Sequence, residues 1–454
     1  MSLLRLAGAL LLGALPVPLI AQGGAPTTGA PPTSSVPAPA SPTTGRPITL
    51  ADAVALARRS NPAAVQARGQ IRTASAAVRS AYATFIPNLS LNASAAEQSP
   101  ASARVNPTTG EILTGRWATT SGLSASVDLF DGFRRFHDIR TARAEQTAAE
   151  SAEDAQAYSI AQQVKQQFYA ALAAQESEAA ARAQLAQAES QLRLSVARVL
   201  ANTVTRSDSL RARIQVAQAR LALLQAQTDR QSADASLSRL VGASAPVSAS
   251  AAGLPDEPTI ALDSAQLAQL AVDGPTVRQA LANETATRAG RRAARSSYYP
   301  SLGMSYSRSR VGSSESFDAF PGDNRYTGQL RFQVSVPLFN QLTREQGVVQ
   351  ADVAQENAEA QLRDARLAAQ EGLVQALGAL RTATQQIATQ REAVVAAEED
   401  LRVQQQRYQL GVSTVLDVLA SQAQLTNSRL ALVQARFAAR SAKAQLETLV
   451  GREL

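Results

Sequence analysis

A chain of 454 residues with 44 basic and 37 acidic residues, a net charge of +7, no cysteine and a single histidine excludes several classes of protein. Without cysteine there is no disulfide or thiol chemistry and no Cys/His metal cluster. Aromatic residues make up 4% of the chain, which is low for a thick globular core. The opposite charges are interleaved along helical segments, which is typical of solvated helix faces and argues against nucleic-acid binding.

The first 21 residues have the pattern of a secretory signal peptide. One charge, Arg5, precedes an apolar run from Leu6 to Ile20 and the small residue Ala21. The alternative is an uncleaved membrane anchor, because Leu19 is not the small residue expected two places before cleavage. Residues 22–47 are rich in Pro, Ala and Thr, which predicts a disordered tether. No later segment offers about 18 consecutive apolar residues, so an exported form that enters a membrane must do so by β-strands.

The chain contains an internal duplication. The segment "VDLFDG" at 127–132 recurs as "VPLFNQ" at 336–341, 209 residues later, and "RLALLQAQ" at 220–227 recurs as "RLALVQAR" at the same offset. Upstream the offset is 213, since "IPNLSL" at 86–91 matches "YPSLGM" at 299–304. A constant offset predicts two repeats of one architecture, at 48–242 and 259–451, joined by a linker rich in Pro, Ala and Ser.

Each repeat begins with helices and then changes to strands. A short helix is predicted before Pro62 and Pro275, and a second helix follows to Phe85 and Tyr298, because proline fits the first turn of a helix. Apolar residues then alternate with small or polar ones, as in "NLSLNASA" and "QLRFQVSVPL". The alternation predicts four strands, at about 86–98, 119–130, 299–311 and 327–339.

The aromatic residues favour a membrane location for these strands over a soluble antiparallel sheet, which would show the same alternation. Many of them lie near strand ends, where membrane barrels carry their aromatic girdles. An unpaired strand edge is not tolerated in lipid, and four strands are too few to close a barrel. Several copies must therefore contribute strands, and a trimer would supply twelve. The residues concerned are Tyr82, Phe85, Trp117, Phe130, Phe133, Phe136, Tyr298, Tyr299, Tyr306, Phe317, Phe320, Tyr326, Phe332 and Phe339.

A long helix follows the strands in each repeat. No Pro or Gly occurs from 133 to 241, and seventy helical residues would span on the order of 100 Å. Apolar residues recur every seven positions from Leu373 to Tyr408, whereas Glu178 interrupts the corresponding row of the first repeat. After Gly411 two such rows lie on opposite sides of one helix, which predicts neighbours on both sides, as in the wall of a tube.

With the segment "YQLGVSTVLDVLASQ" at 408–422, the motifs together resemble the TolC family of outer-membrane efflux channels. The resemblance covers about residues 48–451 and includes the duplicated plan, the "NP" at Asn61 and Pro62, the prolines before the strands and the "LF" at strand ends. It implies a mainly α protein with membrane β-strands: a coiled-coil α-helical barrel crossing the periplasm and a trimeric 12-stranded barrel in the outer membrane. It also implies a homotrimer in contact with outer-membrane lipid, a periplasmic adaptor and an inner-membrane pump, without a cofactor.

The same resemblance places a gate at the two helix turns, at the periplasmic end. Asp417 matches an acid of the family's entrance ring, Asp208 is its counterpart at the 209 offset, and Tyr408 matches a tyrosine that helps to hold the entrance shut. The family's second acid is Ala420 here, and the arginine expected after the glycine is Ser413. The tips that would contact the adaptor are Asn202, Thr203, Val204, Thr205, Gly411, Val412, Ser413 and Thr414.

These positions also have structural interpretations. In both turns a threonine stands three residues before the aspartate, which is the pattern of a capped helix start. Tyr408 is also the last core position of its heptad row. Gly411 and its counterpart Asn202 tolerate a left-handed turn. By strand parity Arg331 faces the lumen or is a solvated arginine, and His137 is interpreted as a surface residue near the strand-to-helix junction.

The sequence leaves three classes of function to compare. The first is a passive exit duct of a tripartite efflux or type I secretion system, with gating at the helix tips. The second is a periplasmic coiled-coil scaffold or adaptor, which needs neither the amphipathic strands nor their duplication. The third is an enzyme, which a chain with one histidine and no nucleotide-binding glycine loop does not support. The exported cargo and the class of pump are not encoded in these motifs.

Overall fold

The computed structural model describes residues 45–105, 110, 112–201, 205–252, 263–314 and 326–454. The predicted signal peptide (1–21), the tether up to residue 44 and the tip residues Asn202, Thr203 and Val204 lie outside this part of the chain. The elements in chain order are β1 (Arg46–Ile48), α1 (Leu50–Ser60), α2 (Pro62–Ala83), β2 (Asn88–Val105), β3 (Ile112–Phe130), α3 (Arg134–Leu200), α4 (Arg206–Val241), β4 (Val247–Ala249), α5 (Ser264–Val272), α6 (Pro275–Ala294), a 3₁₀ turn (Arg295–Tyr298), β5 (Ser301–Ser314), β6 (Tyr326–Ser335), α7 (Thr343–Gln409) and α8 (Val415–Val450).

The long helices repeat at the offset seen in the sequence. α3 and α7 each contain 67 residues, and α4 and α8 each contain 36. Both α7 and α8 begin 209 residues after their counterparts, since Arg134 corresponds to Thr343 and Arg206 to Val415. At 1.5 Å per residue, α3 and α7 are each about 100 Å long.

Local chemistry explains where the shorter helices begin and the hairpins end. Asn61 caps α2 by accepting a hydrogen bond of 2.9 Å from the backbone N–H of Ala63, and Pro62 occupies the first turn. At the end of α8, Gly451 has φ +71°, and a Cβ there would lie 2.8 Å from the ring of Pro275. Glycine therefore permits both the left-handed turn and the close approach of α8 to the start of α6.

The four long helices form a wall with a defined order. α3 packs on α4, α7 packs on α8, and α3 packs on α8, which gives the order α4–α3–α8–α7. α8 thus has neighbours on both sides, as the two heptad rows predict. The buried seams use equivalent residues in the two repeats: Val164, Ala171 and Leu237 in the first correspond to Leu373, Leu380 and Leu446 in the second. Nearer the sheet, α2 packs on α3, α3 on α6, and α6 on α7.

The four-stranded sheet is antiparallel throughout, in the order β2-β3-β5-β6. Three strands run further from the helices than the alternation predicts: β2 to Val105, β3 from Ile112 and β5 to Ser314. Residues 112–118, ILTGRWA, do not alternate apolar and polar residues in the sequence, so the pattern does not reveal this part of β3 although the backbone pairing continues through it. β6 ends at Ser335 rather than at the predicted 339, because Pro337 has no N–H for strand pairing.

A small parallel sheet of β1 and β4 is absent from the prediction. β1 pairs with β4 in the register Arg46 to Val247, so the start of the described chain is held against the segment between the repeats. β1 begins inside the predicted tether and β4 inside the predicted linker. Each strand is 3 residues long, which is too short for a periodic pattern to reveal it.

Candidate functional site

The turn between α7 and α8 is built around Gly411. Gly411 has φ +75° and donates its N–H to the carbonyl of Tyr408 at 3.2 Å, while the N–H of Val412 donates to the carbonyl of Arg407 at 2.9 Å. These two bonds are the Schellman arrangement that ends a helix and satisfies its last carbonyls. The left-handed turn predicted at Gly411 is therefore present. Its counterpart Asn202 lies outside the described residues.

The helix that follows starts with a complete capping box, unlike its counterpart in the first repeat. The Asp417 carboxylate accepts from the N–H of Thr414 at 2.8 Å, and the Thr414 hydroxyl accepts from the N–H of Asp417 at 3.4 Å. The hydrogen bond that the carboxylate accepts from the Thr414 N–H, and secondly the bond of 2.8 Å that the Thr414 hydroxyl donates to it, hold the pKa of Asp417 below its ordinary value. In the first turn the side chain of Thr205 makes no capping bond to the helix backbone, and its hydroxyl donates to the Asp208 carboxylate at 3.2 Å. The same motif therefore caps only α8.

Arg198, which the sequence did not reveal as a candidate, connects the tip of the first hairpin to Tyr408 in the second. Arg198, in the last turn of α3, donates to the carbonyl oxygens of Tyr408 at 3.0 Å and Gln409 at 3.2 Å. Its guanidinium lies 4.8 Å from the centre of the Tyr408 ring. The ring is buried, and its hydroxyl has no hydrogen-bond partner among the described residues. An arginine on the last carbonyls of a neighbouring helix is favoured by the helix dipole, so this contact holds the two tips together.

Apolar side chains are exposed at both tips. Leu200 ends α3 and is 80% exposed, and Leu410 and Val412 in the second turn are 79% and 66% exposed. The Ser413 hydroxyl, in contrast, donates to the carbonyl of Gln404 at 3.4 Å and belongs to the turn itself. Exposed apolar groups at the end of a helical hairpin are typical of a contact surface for another molecule.

The two faces of the large sheet differ in chemistry. Arg331 lies directly opposite Ser305, which pairs with Ser126 and then with Asn88, so the arginine belongs to a polar row. The neighbouring row is Leu89, Ala125, Tyr306 and Leu330, which belongs to an apolar face. Arg331 is exposed on the polar face, in agreement with strand parity.

The structure separates the remaining candidates. Asp417 is exposed, whereas Asp208 is half-buried and lies 3.9 Å from Arg211. His137 stands in the first turns of α3, near the strand-to-helix junction, and is half-buried rather than fully at the surface. Arg198 could not be found from the sequence, because 210 residues separate it from Tyr408 and no motif joins them.

Two further observations concern membrane-spanning helices and metal ligands among the described residues. None of their helices is long and apolar enough to cross a membrane. In the same part of the chain, no three or more His, Cys, Asp or Glu side chains are grouped so that they could hold a metal ion.

Comparisons with known proteins agree with this architecture. The chain is similar in structure to CusC, at 20% identity and a TM-score of 0.74, covering 89% of this chain and 92% of that one. It is similar to VceC of Vibrio cholerae at 22% identity and a TM-score of 0.71, covering 89% and 96%. It is also similar to the MtrE channel of Neisseria gonorrhoeae in its open state, at 19% identity and a TM-score of 0.70, covering 89% of each chain. No curated protein sequence matches the chain.

The sequence profile of outer membrane efflux proteins matches residues 53–243 and 267–452, which together form most of the chain. The two matched stretches contain all four long helices and all four strands of the large sheet. The chain therefore belongs to the outer membrane efflux protein family, whose members are passive outer-membrane channels with a periplasmic helical extension and not enzymes.

Proposed function

We propose that three copies of this chain close into a ring that serves as the exit duct of a tripartite efflux or type I secretion system. The observation that carries the proposal is a pair of open edges in each chain. β2 and β6 are the outer strands of the sheet, and α4 and α7 are the outer helices of the wall. In a ring, β2 of one copy pairs with β6 of the next, and three copies give twelve strands (4 × 3). About eight strands suffice for the smallest membrane barrels.

The outer helices support the same closure, because both expose apolar side chains at helical spacing. Rows of exposed apolar residues on packed helices mark surfaces that another molecule covers. In the ring, α4 of one copy packs against α7 of its neighbour. The exposed residues at the level of α4 are Leu210, Ile214, Leu221 and Leu224 on α4 itself, and Val374 and Val395 on α7. Val349, Val353 and Leu367 are also exposed on α7, but they lie nearer the sheet, beyond the length of α4.

The helix tips supply the proposed gate and adaptor contact. Threefold repetition of Asp208 and Asp417 gives six carboxylates at the periplasmic mouth, and rings of carboxylates favour cations over anions. The contact of Arg198 with Tyr408 and Gln409 favours the state in which the tips lie together. The exposed apolar tips fit an adaptor, and Arg331 on the polar face of the sheet lines the lumen.

Cysteine cross-linking tests the ring directly, because the chain has no cysteine of its own. Arg198 brings the ends of α3 and α7 to the same level, so distance from the tips can be read along each helix. Leu221 lies 15 residues after Arg206, or about 23 Å from the tip, and Val395 lies 14 residues before Gln409, or about 21 Å. Both are mostly exposed, at 68% and 64%.

We expect Leu221→Cys combined with Val395→Cys to form covalent dimers and trimers with a short bismaleimide. A matched control pairs Leu221→Cys with Val374→Cys, which lies 35 residues before Gln409, about 53 Å from the tip, and should not cross-link. Equal cross-linking of both pairs, or a purified protein that is monomeric and water-soluble without detergent, would contradict the proposed ring.

A further inference from the structure

A pocket of about 420 Å³ lies between α2 and α3 beside the end of the sheet. Its apolar part is formed by Phe85, Phe136 and Ile139, with Tyr82 at the side, and Arg140 and Arg143 line it as well. α2 and α3 pack on each other, and all of these lining residues belong to one chain.

The pocket is continuous with the apolar face of the sheet. The ring of Phe136 lies 5.3 Å from that of Phe85 and 6.4 Å from that of Phe133, which lies 5.2 Å from that of Phe130. Phe130 pairs with Leu302 on the apolar face. Aromatic residues at this position mark the boundary between membrane and water. In the proposed barrel the pocket therefore opens at the periplasmic surface of the outer membrane, on the lipid side.

The two arginines of the pocket have no carboxylate partner among the described residues. Arg143 donates to the Tyr82 hydroxyl and lies 5.4 Å from its ring centre, and Arg140 is exposed. The neighbouring arginines differ, because Arg134 pairs with Asp138 at 3.6 Å and Arg135 with Asp131 at 3.2 Å. Counted along α3 from Arg134, the backbone positions of Arg140 and Arg143 lie about 9 and 14 Å from the start of the helix.

The second repeat shows what happens when the chain supplies the anion itself. Its residues equivalent to Arg140 and Arg143, at the 209 offset, are Val349 and Asp352. The Asp352 carboxylate, on α7, accepts from Arg291 and lies 3.8 Å from Arg295, so these two arginines at the end of α6 share an anion that the chain itself supplies. The first repeat has the cations and the aromatic pocket but no such carboxylate.

We propose that the pocket between α2 and α3 binds the headgroup of an anionic phospholipid from the periplasmic leaflet. Guanidinium groups match phosphate geometry with paired N–H donors, and basic pockets beside a membrane surface bind anionic headgroups. The aromatic floor takes the glycerol and the first part of the acyl chains. This inference rests on the proposed seating of the sheet in the outer membrane.

Native mass spectrometry of the detergent-solubilised oligomer, titrated with dioleoylphosphatidylglycerol or dioleoylphosphatidylcholine, tests the site. We expect the wild type to retain the anionic lipid roughly tenfold more than the zwitterionic one. Arg140→Gln with Arg143→Gln should reduce that ratio to about twofold or less. Arg363→Gln with Arg366→Gln is the matched control: it removes the same charge from exposed positions of α7, about 30 Å from the sheet, and should leave the ratio unchanged.

An additional variant leaves the pocket itself unchanged, so its result does not depend on a folding defect in the Arg140/Arg143 variant. Asp352→Asn removes the internal anion of the second repeat, so it should increase the number of bound phosphatidylglycerol molecules. An unchanged lipid ratio in the Arg140/Arg143 variant would overturn the inference. So would displacement of phosphatidylglycerol by millimolar inorganic phosphate, which indicates a site for free anions, or preferential retention of lipid A, which indicates the outer leaflet. If the wild type conducts ions but shows no lipid preference, the lipid site alone fails; a protein that forms no channel contradicts the proposed function.

Discussion

The buried charge at Glu178 gives the sharpest prediction about hairpin stability. Its side chain is 7% exposed between α3 and α4, and its carboxylate accepts from Arg182 at 2.6 Å and from Arg230 at 2.9 Å. The hydrogen bond between Arg230 and Glu178 raises the pKa of Arg230. Burial raises the pKa of Asp234, in spite of the Arg230 guanidinium 3.5 Å away. The second repeat has Ile387 and Ala439 at the positions of Glu178 and Arg230, both buried.

Glu178→Ala leaves Arg230 in the seam without its main partner. Removing one member of a buried ion pair costs about 3–5 kcal/mol. Arg230 is 30% exposed and keeps Asp234, so we expect a smaller loss, about 2–3 kcal/mol. If opening of the hairpin limits amide exchange, that loss corresponds to roughly 30- to 140-fold faster hydrogen–deuterium exchange in the adjoining segments 171–185 and 226–240.

The second repeat supplies the control for this experiment. Glu178→Ile, Arg230→Ala and Asp234→Ala together remove three of the four charges and introduce the apolar pair found in the second repeat; the remaining charge, Arg182, is 65% exposed. Because apolar replacement of a buried ion pair is often neutral or stabilising, exchange in this variant should stay within about tenfold of the wild type. Unchanged exchange in Glu178→Ala, or equal loss of protection in the triple variant, would refute the argument.

The helix tips give three further predictions. Arg198→Ala removes two charged hydrogen bonds and a ring contact, so the tips should separate more often and the open-channel probability in planar bilayers should rise at least about tenfold; an unchanged probability would show that Arg198 does not hold the gate. The pKa of Asp417 is lowered in the folded state, so the cap of α8 contributes stability at pH values above the ordinary aspartate pKa and loses it as the pH falls through the folded pKa. Hydrogen exchange of amides 415–418, corrected for intrinsic rates, should therefore increase at strongly acidic pH. Equal protection at neutral and strongly acidic pH would contradict the cap. Asp208→Ala with Asp417→Ala should reduce cation preference measured from reversal potentials, whereas unchanged selectivity would remove the carboxylate ring from the account.

Much of the fold is predictable because it depends on periodic patterns. The constant offset predicted that α7 would repeat α3, and alternating residues located the four strands of the large sheet. The predicted strand ends were less accurate where Pro337 stops backbone pairing, or where apolar and polar residues no longer alternate, as at 112–118. β1 and β4 are too short to carry a period.

The candidate site is less predictable, because its contacts join distant parts of the chain. Nothing in the sequence relates Arg198 to Tyr408, and their proximity follows only from the packing of two separate hairpins. The capping motif occurs in the sequence of both turns, yet only Thr414 and Asp417 make the hydrogen bonds of a capping box. The motif therefore predicts that a cap can form, and the backbone conformation of the turn determines whether it does. The roles that the family resemblance assigns to Asp208, Asp417 and Tyr408, and to the adaptor-contacting tips, stay predictions.

Single-channel recording tests the central claim most directly. Purified oligomer, shown to be trimeric by native mass spectrometry, is added to a planar lipid bilayer and its current is measured with and without Arg198→Ala. The proposed duct predicts discrete conductance steps with a preference for cations, and more frequent opening in the variant. Trimeric protein that inserts into the bilayer but carries no current in either form would contradict the account.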